Sequence, residues 1–218
     1  MSAAATVLLC SEPQSSQWQV GSPRRGRLLL IGWTSLLPTT DAGMPPWMRE
    51  TLARTLTRSH RVTFPSTVVS EGDAETSIPL AVGGLWRRLA SREPRGFSLI
   101  TTQRASVVTQ AFDDPGFPWW MQGQTLLMSS VDRPAPALSG DDVLRLIDSP
   151  ENSVELLKAH DLTAQLCAGV DGDVAALITI GESTRSAFTK TLHDVAAEMG
   201  MEAHWLEESE FAKRLTPP

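Results

Sequence analysis

The stretch VAALITIGESTRSAFTKTLHDVAAEMGMEAHW, residues 174 to 205, constrains the fold more than any other part of the chain. Phe188, Leu192, Val195, Ala196 and Met199 recur at the spacing of one helical face, and Gly200 follows where a left-handed cap would end the helix. The apolar run before this helix and "MEAHWLEE" after it read as strands. Strand, helix, strand in that order is a βαβ unit, which exists only as part of a larger sheet that the helix crosses. Just upstream, "LTAQLCAGVDGDVAALITIG" reads as two strands turning at Asp171-Gly172, a strong hairpin signal.

The rest of the chain supplies that sheet. "TVLLC" and the continuous run "RLLLIGW" read as buried strands, joined through a polar, turn-rich segment. Pro45 and Pro46 suit a helix start, and Met48, Leu52 and Leu56 form one face of a helix ending near His60. "RVTFPSTVV" reads as an edge strand, because Pro65 cannot donate to a ladder. Ser77 is the expected cap of a helix with Pro79 in its first turn and Ile78, Val82, Leu85 and Leu89 on one face, through about Arg92. "FSLITTQ", "ASVVTQAF" and "QTLLMSS" read as three further strands, the last two joined by the loop "DDPGFPWWM". Ser139 with Asp142 three residues later resembles a capping box, "ENSVELLKAHD" a short helix and "SEFAKRL" a terminal one.

The expectation is therefore an α/β protein, with mixed α+β as the alternative. Its mixed sheet has about 7–9 strands flanked by helices, with βαβ-like units near both ends of the chain. Residues 1–218 are expected to form a single compact domain, the alternative being a two-lobe division near 131–139. "LLLIGW" with its following helix and strand echoes "ALITIG" with its own, as any two βαβ units would.

Composition narrows the function. The net charge of −6 disfavours nucleic acid as a partner, since phosphate binding needs clustered cations. The charge is uneven: residues 1–110 carry +5 and residues 111–218 carry −11. An acidic half can be two solvated faces or a surface that steers a basic partner. The two cysteines, Cys10 and Cys167, read as inert buried thiols suited to a reducing cytoplasm, and no apolar run approaches a membrane span.

Candidate chemistry is sparse. Gly181, Ser183, Thr184, Arg185 and Ser186 sit where free N–H groups of a helix start attract anions, so a phosphate or carboxylate is the candidate ligand there. The alternative is that these residues only cap the helix. The same turn half matches a nucleophile elbow but has Arg185 where the second glycine belongs. His60, His160, His193 and His204 show no metal-ligand spacing, so neither a metal nor another cofactor is expected. Thr101, Thr102 and Gln103 stand at a strand end, where ligand crevices form, or are simple turn residues. In "DDPGFPWWM", Pro115 and Pro118 stiffen a loop that carries Phe117, Trp119 and Trp120. Rigid aromatic loops make binding hot spots, or they plug the end of a sheet. Glu207, Glu208 and Glu210 are the candidate acidic docking patch.

With no catalytic constellation to assemble, the expected function is that of a non-enzymatic cytoplasmic protein-binding protein. It would be an accessory, adaptor, inhibitor or immunity-type protein acting through the Trp loop and the acidic half on a partner with a basic surface. The rival is a small α/β enzyme or sensor of phosphate-bearing ligands or nucleotides at 181–186. Homo-oligomerisation is the third expectation.

Overall fold

A computed structural model describes residues 6–13, 27–34, 45–66, 76–79, 98–112, 125–139, 141–142, 145–146, 153–168 and 174–215. In chain order the elements are β1 (Thr6–Ser11), β2 (Arg27–Thr34), α1 (Pro46–Ser59), β3 (His60–Ser66), β4 (Thr76–Pro79), β5 (Ser98–Thr102) and α2 (Ala105–Phe112). Then come β6 (Thr125–Ser130), α3 (Ser153–Ala159), β7 (Leu162–Ala168), β8 (Val174–Thr179), α4 (Glu182–Glu198), β9 (Glu202–Trp205) and α5 (Glu208–Leu215). The fold is α/β. One nine-stranded mixed sheet runs β4-β5-β3-β6-β7-β8-β2-β1-β9.

Every pairing is antiparallel except β1 with β9. Strand directions therefore alternate from β4 to β1. It follows that β2 and β3 run the same way with three strands between them, and so do β8 and β9 with two between them. Helices α1 and α4 make these two crossovers, in opposite directions from the β2–β8 seam, and pack against each other. The βαβ units expected near the two ends of the chain thus share one helical layer.

Strand alternation sorts the core into two clusters. On one face, Val7, Leu9, Leu29, Ile31, Met128 and Leu166 pack beneath α1, α2 and α4. On the other, Leu8, Cys10, Leu28, Leu30, Leu127 and Ile178 pack beneath α3, α5 and Leu146. Cover on both faces explains why "RLLLIGW" reads as a continuous apolar run rather than an alternating one. Helix α4 sinks Phe188, Leu192 and Val195 to at most 1% exposure, each contributing about 1.5–3 kcal/mol of burial. Met199, expected on that stripe, is 46% exposed, because the helix ends at it.

Three of the helix ends read from sequence are present. Gly200 takes φ +68; its N–H donates to the Ala197 carbonyl, and the Met201 N–H to that of Ala196, closing a Schellman motif. The Asp142 carboxylate accepts from the Ser139 N–H at 2.9 Å and hydroxyl at 2.6 Å, while the Asp142 N–H donates back to Ser139 Oγ at 3.2 Å. Pro46 opens α1. Strands β7 and β8 pair antiparallel across the expected turn.

Three expectations are corrected. "ASVVTQAF" is helix α2, not a strand. Thr102 Oγ1 accepts the Arg104 N–H at 2.9 Å in the turn before the helix, and Val107 and Val108 both face the core, so packing overrides their β-branched preference. The segment "DDPGFPWWM", outside the described residues, accordingly follows a helix in the sequence and not a strand. Second, Thr76–Pro79 is strand β4 rather than a capped helix start, and residues 80–92 of the expected helix lie outside the described residues. Pro79 stands on the outermost strand, where one side of the ladder is open. Third, β3 is an interior strand. Its pairing with β6 stops at Thr63, so Pro65 meets β5 alone and sits at a local edge inside the sheet.

Candidate functional site

The α4 turn gathers Gly181, Ser183, Thr184, Arg185 and Ser186 at one helix end, as expected. Its charge is committed within the chain. The Arg185 guanidinium donates to Glu12 Oε1 at 2.9 Å, to Ser11 Oγ at 2.8 Å and to Glu182 Oε1 at 2.9 Å. The Ser186 hydroxyl also donates to Glu182, at 3.3 Å. Glu182 lies in the first helical turn, where a carboxylate suits the macrodipole. Glu12 holds a left-handed φ of 51, and its N–H donates to the Leu28 carbonyl at 2.9 Å. The cluster therefore ties the end of β1 to the start of α4.

The second surface lies at the opposite end of the sheet from β4. Strand β9 is the outermost strand there, parallel to β1. Trp205 is 50% exposed, with its ring 6.3 Å from that of His193 on α4. Together with Met199, it is one of two large hydrophobic residues left exposed among the described residues. Glu202 and His204 share the other face of the strand, joined at 2.9 Å. Sequence reading missed Trp205, since alternation pairs it with the half-buried Ala203 and the strand's outer position is not written in its residues.

The acidic triplet follows directly. Glu207 is exposed, and Glu208 and Glu210 lie in the first turn of α5, a favourable place for carboxylates. Glu210 accepts from Arg214 at 3.0 Å, which holds its carboxyl below the usual range. Burial, then the Glu208 and Glu207 carboxylates, push the Cys10 thiol up to about 11. Burial pushes Cys167 up to about 12, outweighing its bonds to Thr125 and Gln165. Neither thiol is in a disulfide and both remain protonated at neutral pH; Cys10 is buried as expected, whereas Cys167 is only half-buried, a correction of the expectation for it.

Other candidates resolve into structural roles. Thr101 Oγ1 meets Thr63 Oγ1 at 2.9 Å, and Thr102 caps the turn into α2. Gln165, fully buried in β7, donates to Thr125 Oγ1 at 3.0 Å and to the Leu146 carbonyl at 3.1 Å, tying that helical turn to the sheet. A groove of about 200 Å³ between α1 and α4 is lined by Arg54, His60, Thr184, Lys190 and Asp194. Arg54 is already held by both Glu198 oxygens, at 2.8 and 2.6 Å, and by Glu50. Among the described residues no group of three His, Cys, Asp or Glu is placed to hold a metal, and no helix is long and apolar enough to cross a membrane. Phe117, Trp119 and Trp120 lie outside the described residues. Elsewhere, Trp33 and Trp47 meet edge to face at 5.6 Å against the core. Comparison of the chain with family models, curated proteins and solved structures returns no match.

Proposed function

We propose that this chain is a non-enzymatic, cytoplasmic protein-binding protein of the accessory, adaptor, inhibitor or immunity type. Its docking surface combines the β9 edge, anchored by Trp205, with the neighbouring carboxylates of Glu207, Glu208 and Glu210, which suit a partner with a basic surface. The observation that carries this reading is the 50% exposure of Trp205 on an outermost strand. Tryptophan is the residue most enriched among interface hot spots, and an unburied indole has a cost in water that a partner would relieve. The rival, a phosphate or nucleotide site at Gly181–Ser186, has weaker support because Arg185 already answers two carboxylates.

Capture from an extract of the native host, using the tagged full chain, tests the proposal. Trp205→Ala and Glu207→Lys are each expected to lose the captured partner while keeping the native circular dichroism spectrum. Undiminished capture by both folded variants would remove this surface from the function.

A further inference from the structure

The sheet has two outer strands, and they differ. β4 carries Pro79, a residue that blocks strand addition, whereas β9 (Glu-Ala-His-Trp) carries neither proline nor lysine. The Leu206 N–H donates to the Leu9 carbonyl at 2.8 Å, so the even-numbered residues of β9 turn their main chain toward β1. By alternation, the N–H and C=O of Ala203 and Trp205 point outward, as does the Met201 C=O. The Met201 N–H is engaged with Ala196.

We propose, resting on the protein-binding reading above, that this edge pairs antiparallel with β9 of a second copy of the chain. The two-fold axis falls at Ala203, and two nine-stranded sheets become one. An antiparallel pair exchanges bonds only between residues that both point outward, which places the axis on a residue and not between two. With the axis at Ala203, each Ala203 N–H donates to the partner's Ala203 carbonyl, and each Trp205 N–H to the partner's Met201 carbonyl. No bond requires the engaged Met201 N–H. Side chains match on both faces. Ala203 meets its small counterpart at the axis, flanked by Trp205 against the partner's Met201, a sulfur–aromatic contact. On the other face Glu202 stands opposite the partner's His204. Since Glu202 and His204 already bond within one strand, carboxylate and imidazole alternate around a four-membered ring. An axis at His204 would instead oppose two imidazoles and set Glu202 against Leu206. The carboxylates of α5 lie outside the paired strands; in the dimer a basic partner would meet them without the β9 edge, which the second copy occupies.

Sedimentation equilibrium of the full chain from about 1 μM to about 1 mM, the span of weak to moderate association, tests the pairing. The wild type is expected to reach twice its 23.7 kDa mass. Glu202→Lys is expected to weaken association at least tenfold, and the exchanged double variant Glu202→His/His204→Glu to restore it. Ala203→Cys reports the register. Directly opposed residues of this pair type lie about 5.5 Å apart at Cα, within disulfide range, whereas Trp205→Cys cannot reach its own counterpart. A disulfide-linked dimer from Ala203→Cys but not from Trp205→Cys supports the proposal. A wild type that stays monomeric throughout, or a dimer indifferent to Glu202→Lys, overturns it. If the wild type is monomeric yet Trp205→Ala still loses the captured partner, self-pairing fails and the protein-binding reading stands. If the dimer forms in this register but no partner is captured, the reverse holds.

Discussion

Replacing Arg185 by alanine separates a latch from a ligand hook at the start of α4. Arg185 is only 14% exposed, and its partners Glu12 and Glu182 are 40% and 52% exposed. The bond to Glu182 is an exposed contact within one helical turn, worth about 0.3–0.5 kcal/mol. The bonds to Glu12 and Ser11 are charge-assisted and span 173 and 174 residues of chain. Half-buried, they contribute about 1 kcal/mol after discounting for solvent screening. Arg185→Ala is therefore expected to destabilise the fold by about 1–2 kcal/mol. With a urea slope of about 2 kcal/mol/M, that moves the unfolding midpoint down by about 0.5–1 M. A double-mutant cycle with Glu12→Gln should return a coupling of about 0.5–1 kcal/mol. A shift under about 0.2 M with no coupling would refute the latch, given the precision of such midpoints. So would a phosphate-induced thermal stabilisation of the wild type that Arg185→Ala abolishes, since that would return the residue to an anion site.

Three further perturbations have signs set by the geometry. Gly200→Ala places a Cβ in open space but at φ +68, so it should cost about 1 kcal/mol from strain alone, read in the same urea titration. Cys10 should react with a thiol reagent at pH 8 only on unfolding, since burial keeps its thiol protonated; rapid labelling of native Cys10 would contradict its placement. Burial holds His60 below the ordinary imidazole value of about 6.5, so between the two values the unfolded chain binds the extra proton. The thermal midpoint should fall as pH drops from about 7.5 toward 5.5, and less steeply in His60→Gln.

What the sequence showed plainly was everything determined within a few residues. Ser139 and Asp142 close their box over three positions, Gly200 caps α4 next to its last turn, and Asp171-Gly172 lies between strands that pair. What it hid depends on neighbours distant in the chain. Val107 and Val108 look like strand residues until the turn after Thr102 opens a helix that faces both toward the core. The edge argument made for Pro65 was sound physics at the wrong residue, since strand order places Pro79 on the rim and Pro65 merely beyond the end of its ladder with β6. The residues of the candidate anion site are gathered at one helix end, but Glu12, which occupies Arg185, lies far away in sequence and so gave no local sign of the pairing.

Trp205 shows the same limit at the outer edge of the sheet. In "MEAHWLEE" nothing distinguishes a tryptophan that closes a core from one that faces water. The difference arises because β9 follows a crossover over two strands and so lands outside β1, with a neighbour on one side only. Had β8 and β9 been adjacent, Trp205 would lie under α4 with Leu192 and Val195, and the outward N–H groups of Ala203 and Trp205 would be ladder bonds. The crossover that α4 makes is thus the step that leaves β9 at the rim of the sheet. The same helix supplies His193 against the indole, which orients the ring without covering it.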